Sequence, residues 1–377
     1  MIHRDVCIVC TNPKLSPFFT EQDMPLAYIP RPLSSSVEDD TLFTLKWVKC
    51  DVCGCVQLED LADPADLYSV SHNETISSGL WLEHHTKFAE FVSSYVAPKD
   101  IVVEIGGGNG YLKGLCKDKC AKYLICDYLS ADQPDHFFAD IENMKKDTYP
   151  SHDVVIMSHT YEHLYNPRAA LLNCFHNGTK KILLSVPWME AWLKDQSSSI
   201  IHAEHTFFLV MTHLIYVAES CGYLVEKAET FKRHSQFLCL VRRTLPEAPE
   251  AEAPAAPPVY NTTRLSAHFE QRNRFMYTLD VDPSRKTVLI PGGHFASIFY
   301  SYAPPEFRAN ILGCCDNDKN KQNKRLYGTT LPMISFQDAK EKWFTSRTSG
   351  CEKPQIIFLD CPYKNELQQQ AQHDLKM

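Results

Sequence analysis

Residues 101–112 read IVVEIGGGNGYL. A β-branched run is followed at once by Gly106, Gly107, Gly108 and Gly110, and then by the start of a helical pattern. Only a backbone without Cβ atoms turns this sharply and still lets a ligand approach closely. The same alternation continues outward. The apolar segments KYLICD (122–127), DVVIMS (153–158) and KKILLSV (180–186) are separated by helical stretches, which predicts a parallel sheet with crossover helices. Residues 66–244 are therefore expected to form a doubly wound α/β domain.

A dinucleotide-binding loop would carry a glycine three positions after Gly108, where this chain has Tyr111. Instead Glu104 sits in the strand end, two residues before Gly106. The resulting E-x-G-x-G-x-G resembles the loop of class I methyltransferases that bind S-adenosyl-L-methionine. Asp127 ends the next strand about 20 residues on, where a carboxylate accepts ribose hydroxyls. Asp140, in FFADIE, falls where such enzymes contact the adenine. The expected cofactor-binding set is Glu104, Gly106, Gly108, Gly110, Asp127 and Asp140.

Toward the N-terminus the pattern gives way to cysteines. Cys7 and Cys10 form one C-x-x-C, and Cys50 and Cys53 form another. Two such knuckles supply the four thiolates of a closed tetrahedral zinc site, which is structural rather than catalytic. Neither pair follows a strand and opens a helix, the setting of a redox C-x-x-C. Residues 1–65 are expected to form a zinc-binding lobe. Toward the C-terminus, LPEAPEAEAPAAPPV (245–259) has nothing to bury and predicts an extended connector over 245–260. Beyond it, TVLIPGGHFASIFY, ANILGCCDND and PQIIFLDCP again read as buried strands, so 261–377 is expected to be a second, smaller α/β domain.

Composition agrees with this division. A chain of 377 residues exceeds one compact core. A net charge of −8 without a basic stripe gives no reason to expect a nucleic-acid partner. No window approaches the ~18 to 20 apolar residues of a membrane span, and the first residues lack a signal-peptide pattern. The expectation is a cytoplasmic protein, with its 15 cysteines as thiols or metal ligands.

Three stretches, in order, resemble one family over nearly the whole chain: the sugar C-methyltransferases that act on nucleotide-linked deoxysugars. They are CIVCTNPKLSPFFTEQDMPLA with WVKCDVCGCVQLEDL, then EIGGGNGYL, then GCCDNDKNKQNKRLYGTTLPMIS with PQIIFLDCPYKNEL. In the last pair Asp316, Asn317, Asp318, Gly328, Thr329, Tyr363 and Glu366 carry the match. The resemblance implies a zinc-binding lobe, a Rossmann-like class I methyltransferase domain and a smaller Rossmann-like C-terminal domain.

It also implies methyl transfer to a carbon of a 4-keto-deoxysugar by way of an enolate. Glu204 and His205, in IHAEHTFF (201–208), correspond to the family's catalytic Glu-His pair, and His163 in HTYEHL to its second active-site histidine. Carbon is not nucleophilic until deprotonated, and a neutral imidazole suits that task near pH 7. His205 is thus the expected base, Glu204 its helper, and His163 a donor to the enolate oxygen.

The chain departs from the family at several points. His202 stands for a tyrosine and Ala203 for a histidine, while RHSQFLC (233–239) keeps His234 but lacks two glycines. The family's N-terminal active-site tyrosine falls in register near Asn73, with Tyr68 and His72 as neighbours. Other readings stay open: an O- or N-methyltransferase on the same scaffold, or a non-catalytic module that binds S-adenosylmethionine. A metal at HAEH would need a third ligand, and the H-E-x-x-H spacing is absent.

Overall fold

The computed structural model describes residues 2–68, 79–128, 134–143, 149–195, 197, 200, 202–244, 256–272, 281–345, 352–359, 361 and 364–375. The chain divides into two compact units. One comprises residues 1–19, 46–195 and 200–264, the other 20–45, 196–199 and 265–377.

Six strands come first: β1 (Ile2–His3), β2 (Leu15–Pro25), β3 (Arg31–Pro32), β4 (Leu42–Cys50), β5 (Val56–Leu58) and β6 (Asp60–Leu61). β1 pairs with β6 and β4 with β5, both antiparallel. The first unit's main sheet follows, from β7 (Ile101–Ile105), β8 (Lys122–Cys126), β9 (His136–Phe137), β10 (Val154–Ser158), β11 (Lys181–Pro187), β12 (Tyr223–Phe231) and β13 (Ser235–Arg242). Its order is β9-β8-β7-β10-β11-β13-β12. β7 through β11 are parallel, and β13 runs against both its neighbours.

Val102, Val103, Ile156 and Leu183 are fully buried, as expected of strands covered on both faces. The helix Gly79–Tyr95 covers one face with Phe88, Phe91 and Val92, which pack with Tyr123, Ile125 and Phe237. The chain leaves β7 and β10 at the point where the strand order reverses. An open α/β sheet presents its ligand crevice there.

The second unit holds β14 (Thr287–Ile290), β15 (Ile311–Cys315), β16 (Lys324–Arg325), β17 (Pro332–Ile334) and β18 (Gln355–Phe358), in the order β18-β14-β15-β17-β16-β3. The expected smaller Rossmann-like sheet is present, since β18, β14, β15 and β17 are parallel. Its edge is a correction to the expected division. β3 adds antiparallel to β16, so residues 20–45, expected within a lobe over 1–65, belong to the second unit. A buried ion pair explains the placement. Asp40 accepts from Arg31, Arg325 and the Gly328 amide, while Arg325 also donates to the Ser35 and Ser36 carbonyls.

Of the expected connector, 245–255 lies outside the described residues. Residues 256–260 are not spacer but belong to the first unit, where the Tyr260 amide donates to the Cys53 carbonyl at 2.9 Å. Among the described residues no helix is long and apolar enough to cross a membrane.

Candidate active site

The glycine loop adopts the backbone its composition demands. Gly106, Gly108 and Gly110 have φ of 71°, 49° and 76°, a region that favours glycine. At Gly106 a Cβ would stand 2.6 Å from Thr160 Oγ1, and at Gly107 one would meet the Glu104 carboxylate at 2.9 to 3.0 Å. The Glu104 carboxylate therefore lies beneath the loop, accepting from the Tyr123 hydroxyl at 3.0 Å. Burial lifts its pKa to about 7.

Asp127 reaches back from the end of β8, and its Oδ2 accepts from the Gly108 amide at 2.8 Å. Asp140 closes its own turn, accepting from the Glu142 amide at 2.9 Å and from Asn143 Nδ2 at 2.6 Å. Glycines and Asp127 thus converge in one loop, with Glu104 as its floor.

The segment after β10 packs directly on that loop. His159 has φ of 51°, and Thr160 Oγ1 donates to the Ile105 carbonyl at 3.1 Å. A short turn over Tyr161–His163 follows. It brings Glu162 and His163 to His205, one ligand-type atom of each lying within 4.8 Å of the others. The rings of His163 and His205 are 5.4 Å apart, and those of His202 and His205 are 3.9 Å apart.

His205 is buried, and its Nδ1 lies 2.9 Å from the Ile200 carbonyl. A carbonyl only accepts, so the proton sits on Nδ1 and the neutral ring keeps its lone pair on Nε2. Burial, then His163, lowers the His205 pKa to about 4. Burial raises that of Glu162, against the pull of the two histidines. Each group is pushed to its neutral form, and each supplies the counter-charge if the other ionises.

One residue, Glu162, reaches this cluster without a clear sequence signal. Glu162 joins Glu204 as a carboxylate acting on His205, each raising its pKa against burial. The one hint was that Glu162-His163 repeats the dipeptide Glu204-His205. Tyr68 stacks on Tyr128 at 5.5 Å, just beyond Asp127. Burial, followed by Glu204, raises its phenol pKa well above the usual value. Of the two residues beside it in the family register, Asn73 and His72 lie outside the described residues.

Arg4 holds the site's backbone in place. Its buried guanidinium donates to the carbonyls of Thr206 at 2.7 Å, Leu164 at 3.2 Å and Tyr165 at 2.6 Å, and to Thr206 Oγ1 at 3.0 Å. Burial lowers its pKa to about 10, so the charge persists at neutral pH. One side chain thus joins the segments that carry His163 and His205.

The four cysteines meet as their spacing predicts. Cys7 and Cys53 Sγ are 3.6 Å apart, Cys10 and Cys50 Sγ 3.5 Å, and all four lie within 4.8 Å of one another. A tetrahedral zinc with bonds of ~2.3 Å has sulfur edges of ~3.8 Å, so the set fits that ion. No described cysteine forms a disulfide.

No protein-family model matches the chain, and no curated protein sequence matches it. Solved structures do. The chain is similar to the magnesium protoporphyrin IX methyltransferase of Synechocystis PCC 6803 with bound S-adenosylhomocysteine, at 14% identity over 46% of this chain and 90% of that one, TM-score 0.34. It is also similar to the 1,6-didemethyltoxoflavin-N1-methyltransferase of Burkholderia thailandensis, at 12% identity over 50% and 96%, TM-score 0.37. A third is the N-methyltransferase NodS of Bradyrhizobium japonicum WM9, at 12% identity over 45% and 99%, TM-score 0.34. The sheet order, with antiparallel β13 set between β11 and β12, makes the first unit a class I methyltransferase fold.

Proposed function

We propose that the protein transfers a methyl group from S-adenosyl-L-methionine to a carbon beside the ketone of a nucleotide-linked 4-keto-deoxysugar. The observation that carries this reading is His205: a buried neutral imidazole with Nδ1 fixed by a carbonyl and Nε2 left to accept a proton. The loop of Gly106, Gly108 and Gly110 with Asp127 would hold the cofactor, whose sulfonium supplies an electrophilic methyl. Cys7, Cys10, Cys50 and Cys53 would hold a structural zinc.

His205 Nε2 takes the proton from the carbon next to the ketone, and the electron pair moves onto the ketone oxygen. His163 donates a hydrogen bond to that oxygen. The Glu162 carboxyl, with an oxygen within 4.8 Å of both histidines, stabilises the developing imidazolium as a dipole, with no second proton moved. Glu204, which acts on both Tyr68 and His205, would help orient the sugar. S-adenosyl-L-methionine held at the glycine loop would supply the electrophilic methyl to that carbon and leave as S-adenosylhomocysteine.

Solvent exchange tests this directly. The protein is incubated in deuterated water with S-adenosylhomocysteine and a 4-keto-deoxysugar nucleotide, and deuterium beside the ketone is followed by mass spectrometry. Exchange is expected, and His205→Ala should slow it by about 10²- to 10⁴-fold. If such sugars bind without exchange, carbon attack is excluded. A hydroxyl or amine acceptor then takes its place.

A further inference from the structure

A second histidine cluster lies in the same unit and takes no part in the chemistry above. His84 comes from the helix Gly79–Tyr95, His159 from the end of β10, and His234 from the turn between β12 and β13. His84 and His234 are buried and His159 nearly so, and one nitrogen from each lies within 4.8 Å of the others. Their ring centres are 5.1 to 5.6 Å apart, with planes inclined at 47° to 75°. They fan around a point rather than stack.

We propose that His84, His159 and His234 form a binding site for a borderline divalent cation such as zinc, separate from the four-cysteine site. Three features besides proximity favour it. His84 is fully buried, yet its Nδ1 has no hydrogen-bond partner among the described residues. An unsatisfied nitrogen there is costly unless something binds it.

Each ring is also aimed by a hydroxyl. His84 Nε2 meets Ser185 Oγ at 2.8 Å, His159 Nε2 meets Ser235 Oγ at 2.9 Å, and His234 Nδ1 meets the same Ser235 Oγ at 2.6 Å. Ser235 leaves His159 Nδ1 for the ion, and Glu162 Oε1 lies 3.3 Å from that nitrogen, which puts a carboxylate at the edge of the site.

The donor set selects the ion. Three imidazoles suit zinc, cobalt or nickel and leave one tetrahedral position open, whereas magnesium and calcium require oxygen ligands. Trp81, with ring centres 4.7 to 5.2 Å from all three histidines, walls the cluster.

The test is metal content and spectrum of the full-length protein produced with cobalt in place of zinc. Two ions per chain are expected. One should show thiolate-to-cobalt charge transfer, and the other only the weak bands of a nitrogen and oxygen shell. His84→Gln and His234→Gln should each bring the content from two to one while the thiolate bands remain. A single ion in the unaltered protein overturns the proposal, a result that does not depend on the variants folding. So does a second ion that survives both substitutions, or one lost only in His205→Ala.

Discussion

The two units each place a glycine turn between a first parallel strand and its helix, and they floor it differently. After β7 the Gly106 amide donates to the Cys126 carbonyl at 2.8 Å; after β14 the Gly292 amide donates to the Cys315 carbonyl at 3.1 Å. Backbone logic is shared to that extent. Below the first turn lies the Glu104 carboxylate, whereas a Cβ at Gly292 would meet Met333 Sδ at 3.0 Å and Cys314 at 3.3 Å. The acids that end the second strands also diverge. Asp127 holds the Gly108 amide, while Asp316 accepts from the Asp318 amide at 2.9 Å and faces Lys321 Nζ at 3.6 Å. The same strand-turn-helix thus commits its acid to the glycine turn in the first unit and to its own loop in the second.

The largest effect should come from the second unit's ion pair. Asp40→Ala leaves Arg325 buried and uncompensated, which costs about 3–5 kcal/mol. Urea unfolding should show that loss, with affinity for S-adenosylhomocysteine unchanged at low denaturant. A parallel fall in affinity would break the comparison, because the loop ligands all belong to the first unit.

Next is the polar floor. The Glu104 pKa is raised in the fold, so its contribution to stability is full below the ordinary glutamate pKa and is lost as pH rises through about 7. Relative to Glu104→Gln, the unaltered protein should lose about 3 kcal/mol across that window. A difference that stays flat with pH would mean that no such burdened carboxyl exists. The apolar floor of the second turn offers no equivalent titration.

The smallest effect separates the two acids. Asp127→Ala should weaken S-adenosylhomocysteine binding by about 10- to 100-fold, and Asp316→Ala by no more than about twofold. Isothermal titration reads both. Equal losses would show that the second unit also carries part of the cofactor site.

What was legible in the sequence was local. The strands β7, β8, β10 and β11 are largely apolar runs, the loop is four glycines, and each cysteine knuckle is a four-residue motif. The pairs that complete the molecule are not local. Asp40 and Arg325 are 285 residues apart, and β3 has only two residues with no periodic signal. Glu162 was hidden for the same reason. Nothing in TYEH says that its carboxylate will meet His205. His84, His159 and His234 lie on three separate elements, and one sequence gives no sign that they converge.

Arg4 has a consequence for the order of events during synthesis. It lies 202 residues before Thr206, its hydrogen-bond acceptor. A ribosome finishes it long before the segments that it joins. Until residue 206 emerges, the guanidinium has no carbonyl of that segment to bind. Contacts of such sequence separation form late and slow the folding of the chains that depend on them. The backbone that carries His163 and His205 is then among the last parts of the first unit to settle, after the bond from the Gly108 amide to Asp127, which spans only 19 residues.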